Sequence, residues 1–417
     1  MTAHRLRLPS PTPAQRRGRS FFITTYCVLF ALPTFACYLI IDSIGLNIGD
    51  FIGSPVETSQ GQALAGLIMF LIVYAGFHRF GQTMLNIPTV TSSPFKRNGL
   101  LLAILIGCVA VDLFFYFVFE FGRAGTETAT SLSFISVLMP KDVALVLLLQ
   151  ANAHRPKRAL LVMAGFTAFG LSLGWTGQFF TLFITSLYLF RDRLRKRKLL
   201  VAAIVVAGIA VFPAIFSIKL AVRQGTDFEY DVLSVVNLPA RLTGYPALIY
   251  VQGERTNLLA SYPDYFDNFH YIAEPLLAIV PKSILGLQSN ITLEKAIVEY
   301  KGGNPELTQF IWGLPTKLWF YWQASPLHFA LFCLENGLLF WAAYAWARRR
   351  RDEFLVFYLL YQMGSYIWSG DLSTLFVSLI RIPVCFMFYS VLDATFARRR
   401  QHAGKSARIA APKGVTE

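Results

Sequence analysis

The sequence predicts an all-α polytopic membrane protein of about ten transmembrane helices, with one long extracytoplasmic loop between helices seven and eight. Three observations carry that expectation. Of 417 residues, 55% are hydrophobic and 15% charged, at a mean hydropathy of +0.49, more apolar side chain than a soluble core uses. The apolar residues gather into runs of span length. The basic residues fall between alternate runs: 27 of the 38 Lys and Arg lie near proposed inner ends, where cytoplasmic flanks collect them. The net charge of +14 is thus explained by topology, and no nucleic-acid partner is implied.

In chain order, the N-terminal tail carries Arg5, Arg7, Arg16, Arg17 and Arg19, which hold it inside, so the first helix (21–41) runs outward. The lack of a small-residue cleavage site marks that run as a retained helix. The next loop has Asp42, Asp50 and Glu57 and no Lys or Arg, as suits an outer loop. A second run (62–78) returns to Arg79, Lys96 and Arg97, and a third (99–119) goes out. The fourth (131–150) is interrupted by Pro140-Lys141-Asp142 and is expected as a kinked helix. Runs 159–175 and 176–190 lie between two basic clusters, Arg155 to Arg158 and Arg191 to Lys198, so the chain crosses twice and turns outside at Gly174-Trp175-Thr176-Gly177. Run 199–218 leads out to the long loop; 327–347, 354–368 and 374–392 complete the set, leaving both termini cytoplasmic. The divisions are an N-terminal bundle (1–218), the loop (219–326), C-terminal helices (327–396) and a cytoplasmic tail (397–417). The five cysteines all sit in apolar runs without metal-ligand spacing, so neither a disulfide framework, a metal site nor a cofactor is indicated.

The loop mixes eight basic residues with ten acidic ones and many aromatics, a composition for an aqueous surface. Arg223, Arg241, Arg255 and Lys282 stand where the charge rule disfavours cations. Either they hold a phosphorylated group, for which a guanidinium is suited, or they balance the neighbouring acids. Four charged positions interrupt apolar runs: Asp112, Lys141 with Asp142, Glu335 and Arg381. At a rise of ~1.5 Å per residue, Asp112, Glu335 and Arg381 share a depth of roughly 10–12 Å below the outer face. Glu335 and Arg381 are therefore expected to meet, as an ion pair locking two helices, as the floor of an outward cavity, or as both.

The order of elements (a helical hairpin with a Gly-rich outer turn, a strongly basic inner loop, a helix ending near Arg223, then a long outer loop) resembles the bacterial oligosaccharide repeat-unit polymerases, or O-antigen polymerases. Within 160–392, Ala278-Ile279-Val280-Pro281-Lys282 looks like the family's apolar–Pro–basic segment, Gly302-Gly303-Asn304-Pro305 like its Gly-rich turn and Glu335-Asn336-Gly337 like its Asn–aromatic–Gly helix start. Two positions depart from the pattern: Lys282 stands where the family usually has Arg, and the turn at Trp175 lacks the Arg that commonly follows it. The resemblance implies glycosyl transfer at the outer face of the bacterial inner membrane. A polyprenyl-pyrophosphate-linked oligosaccharide would be the donor, the sugar hydroxyl of another lipid-linked repeat unit the acceptor, and a chain-length regulator and flippase of the same pathway the partners. Arg223, Arg241, Arg255 and Lys282 would then bind pyrophosphate or glycan, with Glu335 and Arg381 in the catalytic floor. Candidates for the base are His270, Glu254, Asp264, Asp267 and Glu274, with His270 favoured because histidine titrates nearest neutrality.

Two other functions stay open at this stage. A ligase transferring finished glycan uses the same donor and leaving group and differs only in acceptor. A flippase or transporter would carry broken helices, midplane charges and inverted repeats, whereas the sequence shows one broken run at Pro140, no repeat, and a quarter of its length outside.

Overall fold

The computed structural model describes residues 12–51, 53–90, 97–119, 133–173, 177–224, 235, 237–262, 293–302 and 311–410. Among these the regular elements are helices, joined by two isolated β-bridges, Leu46 to Pro55 and Val90 to Asp352. The membrane-protein expectation is met: six helices are long and apolar enough to cross a bilayer, over Arg16–Ile44, Gln60–Leu85, Asn98–Val118, Lys198–Ile218, Pro326–Arg350 and Leu372–Ala397. The other expected crossings fall on helices of 17 residues or fewer.

α1 (Pro13–Ile44) packs along α2 (Gln60–Leu85). A capping box starts α2: Ser59 accepts from Gln62 N, and the Gln62 side chain accepts from Ser59 N. α3 (Asn98–Val118) is followed by a broken pair, α4 (Ser133–Leu138) and α5 (Lys141–Ala151). The expected kink is a full interruption at Met139 and Pro140, where a proline ring replaces the N–H that the ladder needs. α6 (Pro156–Ser172) and α7 (Gly177–Leu189) form the expected pair. The short basic α8 (Arg191–Lys196) leads to α9 (Lys198–Gln224), of whose apolar window only 6% is buried. A helix so apolar and so little covered faces lipid.

The described residues of 219–326 are not all at an aqueous surface. Among them are α10 (Asn237–Arg241), α11 (Tyr245–Ser261), α12 (Leu293–Tyr300) and α13 (Gly313–Ala324), and α11 and α13 pack against α2 and each other. Their apolar residues explain why: Tyr245, Leu248, Ile249 and Val251 of α11 and Leu314, Phe320 and Tyr321 of α13 are buried. Trp312 is fully buried, and Lys317, one of the eight basic residues of this segment, is 1% exposed.

α14 (Pro326–Arg350), α15 (Glu353–Ser369) and α16 (Leu372–Ala410) complete the chain. α15 is buried on nearly all sides and apolar all round, so it is the centre of the bundle. Asp352 caps its start and Gly370, at φ 74°, ends it in the left-handed conformation. α5 lies beside it, with Val143 to Leu149 continuously buried.

Cross-links fix which element ends lie together. At one end Arg19 donates to Leu85 O and Thr89 Oγ1, Val90 N donates to Arg351 O, Arg191 pairs with Glu353, and Arg97 pairs with Asp393 at 2.6 Å. This end collects the basic clusters. At the other, Asn47 donates to Pro246 O, Thr58 to Ile249 O and Tyr245 to Ala63 O, joining the α1–α2 connection to α11.

Candidate functional site

Two polar assemblies stand out, one within the bundle and one at the end away from the basic clusters. The first grows from the break at Pro140. Because Lys141 N bonds to Met139 O, it does not reach Val137 O, which is left without the bond that an unbroken helix supplies. Arg381, on α16, fills the gap: Nε and Nη2 donate to Val137 O at 2.9 and 2.7 Å. Its Nη1 lies 3.5 Å from Asp142 Oδ1, and Tyr358 OH of α15 donates to Asp142 Oδ2. Asp142 sits in the first turn of α5, where the helix dipole favours a carboxylate. Lys141 beside it is opposed by that dipole and turns to Asp112 of α3, which also accepts from Ser136 Oγ at 2.7 Å. Lys141 and Asp142 are consecutive residues, so the Lys141–Asp112 and Arg381–Asp142 pairs form one locus. Two acids and two bases make it neutral, as a charge cluster at this depth must be to persist.

The expected Glu335–Arg381 pair is not formed. Arg381 takes Asp142 because α16 packs against α4 and α5, an adjacency that depth alone does not reveal. Glu335 lies elsewhere, on α14, with Oε2 buried without a hydrogen bond and Lys317 as the cation acting on it. Nor do Glu335, Asn336 and Gly337 start a helix: α14 begins at Pro326. Asn336 ties α14 to the central helix by accepting from Tyr366 OH at 2.8 Å.

The second assembly surrounds the short 3-10 turn Gly49–Phe51. Arg241 Nη2 lies 2.7 Å from Asp50 Oδ1, with its guanidinium 5.5 Å from the Phe216 ring near the end of α9. Lys301 Nζ donates to Asp50 O at 3.1 Å and stands 4.6 and 5.1 Å from the rings of Phe51 and Tyr250, themselves stacked at 4.8 Å. Glu254 accepts from Tyr300 OH at 2.8 Å and from Asn257 Nδ2 at 2.9 Å. Arg255 donates to the side chain and carbonyl of Gln323, linking α11 to α13.

Burial lowers the Lys301 ammonium from its ordinary range, against the opposing pull of Asp50. The hydrogen bond to Glu254, then burial, raises the Tyr300 phenol. Burial, then the Glu254 charge, pushes Tyr250 up to about 12. The result is an aromatic floor flanked by cations and a carboxylate, groups that suit sugar faces, hydroxyls and phosphate.

The chain matches no family model, no curated protein and no solved structure.

Of the residues proposed from sequence, Arg241 and Arg255 lie at this end, held by Asp50 and Gln323. Arg223 belongs to the last turn of α9, its side chain undescribed; His270 and Lys282, with the Asp264, Asp267 and Glu274 alternatives, lie outside the described residues. Arg381 belongs to the intramembrane cluster and Glu335 to neither assembly. Among the described residues no three His, Cys, Asp or Glu side chains gather as a metal site. Asp50, which organises two cations, was visible in the sequence only as one acid of an outer loop. Tyr358 carried no signal beyond a tyrosine in an apolar run.

Proposed function

We propose that the protein is a membrane glycosyltransferase that polymerises polyprenyl-pyrophosphate-linked oligosaccharide repeat units on the outer face of the bacterial inner membrane, with ten crossings and both termini cytoplasmic. The observation that carries the reading is the grouping of Arg241, Arg255 and Lys301 with Phe51, Tyr250, Tyr300 and Glu254 at the end of the bundle away from the basic clusters. The charge rule gives cations no reason to be there, and a diphosphate-linked glycan gives them one.

In this reaction an acceptor hydroxyl oxygen attacks the anomeric carbon of the donor. The bond from that carbon to the pyrophosphate oxygen breaks, the lipid pyrophosphate leaves with the electron pair, and the hydroxyl proton passes to a base, for which Glu254 and His270 are the proposed groups. Fixed cations offset the charge growing on the leaving oxygen. The test is extension of purified lipid-linked repeat units by the reconstituted protein. A ladder of longer glycans is expected, reduced roughly ten- to hundredfold by Arg241→Ala or Arg255→Ala, the loss of one charge-assisted contact of about 1.5–3 kcal/mol.

The broken pair α4–α5, with four charges at its interruption, favours a second reading, a flippase for the same lipid-linked sugar. Movement of the lipid between leaflets without extension would select it.

A further inference from the structure

The end of α14 carries more positive charge than the protein neutralises. Arg348, Arg349 and Arg350 are exposed in its last turn, and Arg351 follows in the left-handed conformation at φ 53°. The two adjacent acids are engaged elsewhere. Asp352 accepts from Leu355 N at 3.0 Å to cap α15, and Glu353 takes Arg191 and Tyr188, each at 3.1 Å. Among the described residues, no carboxylate pairs with any of the four arginines.

Beside them lies a shallow groove lined by Trp341, Tyr344, Arg348, Arg349 and Arg351. Positions 341, 344 and 348 follow one stripe of α14, so the aromatic rings lie one and two turns below the guanidinium of Arg348. Trp341 is 66% exposed, and Leu338 and Leu334, further along the same helix, are exposed as well. The groove therefore opens on the lipid-facing side of a helix long enough to span, with its cations at the surface.

We propose that this groove binds the headgroup of an anionic phospholipid of the surrounding bilayer. The phosphate diester meets Arg348, Arg349 and Arg351, while Trp341 and Tyr344 pack at the level of the glycerol and upper acyl chain. A membrane lipid fits better than a soluble anion because the aromatic wall runs down a lipid-facing stripe.

The full-length protein in nanodiscs tests it, with spin-labelled phosphatidylglycerol compared against spin-labelled phosphatidylcholine. Wild type should restrict the anionic lipid preferentially, and the preference should fall about fivefold for each of Arg348→Gln and Arg349→Gln at low salt. It should shrink on added salt, and Trp341→Ala should weaken binding while preserving that salt dependence. Arg193→Gln with Lys196→Gln, exposed cations on α8, should leave the preference intact. No preference in wild type, or an equal loss in the α8 variant, overturns the proposal. Displacement of the labelled lipid by inorganic phosphate, equally in wild type and Trp341→Ala, would reveal a soluble-anion site and overturn it too.

Discussion

Arg381 is held by a carbonyl and a carboxylate at once, which makes its role separable by substitution. Removing one partner of a buried pair costs about 3–5 kcal/mol, because the other charge is left behind. Arg381→Ala should therefore lower folded yield or melting temperature more than Arg381→Lys, which keeps the charge near Asp142 but cannot serve Val137 O with two donors. The double change Arg381→Met with Asp142→Asn should recover part of the loss, as no lone charge remains. Fluorescence-detected size-exclusion on heating measures all three. If the double variant is as unstable as Arg381→Ala while chain extension tracks the guanidinium alone, the cluster is functional rather than a lock. That a charge at position 381 needs an anion was legible in the sequence. Which anion was not, since Asp112, Asp142 and Glu335 all lie in apolar runs and helix adjacency decides among them.

At the scale of elements, α11 and α13 were hidden inside a segment that charge composition described as aqueous. Their signals were local: Pro246 at the start of α11 and Pro315 at the start of α13, each with an apolar face beside it. Average composition over a hundred residues conceals faces of four or five. The two helices meet at Gly244, where a Cβ would stand 1.6 Å from Trp312 O and 2.8 Å from Gly313 N. Those obstacles are backbone, and backbone yields less readily than a side-chain tip. Gly244→Ala should thus undock α11 from α13 and destabilise the protein by several kcal/mol, in the upper range for single substitutions. Gly208→Ala, on lipid-facing α9 with nothing within 4 Å, should be neutral or slightly stabilising. Thermal melting of the two variants side by side provides the comparison. A Gly244→Ala protein as stable as Gly208→Ala would mean that the α11–α13 contact is looser than the geometry states.

For the whole molecule, the alternation of basic clusters makes a geometric demand that helix length alone does not. α9 starts at the end shared with the start of α1 and the start of α15, because Arg191 pairs with Glu353 and Gly18 lies against Asp192. The start of α3 is at that end as well, through Arg97 and Asp393. Between the far end of α3 and the start of α9 the chain must therefore return by an odd number of passes, and the broken pair α4–α5 with α6 and α7 offers three. Protein surrounds much of α5 and α7, so a crossing at either would not have to match the full bilayer thickness. Parity alone allows one pass or three; three, with α4 and α5 taken together, is the count that gives the proposed ten crossings, with both termini on the basic side. Single cysteines can be placed on a background in which the buried Cys27, Cys37, Cys108 and Cys385 and the exposed Cys333 are replaced. On it, Gln60→Cys and Ser261→Cys should react with an impermeant maleimide in spheroplasts, and Ser406→Cys only after lysis. The first two must agree whatever the orientation, since Asn47 and Thr58 bond directly to α11. Labelling of Ser406→Cys in intact spheroplasts would reverse the sidedness and remove the outer-face polymerase with it, because the aromatic and cationic assembly around Asp50 would then face the cytoplasm.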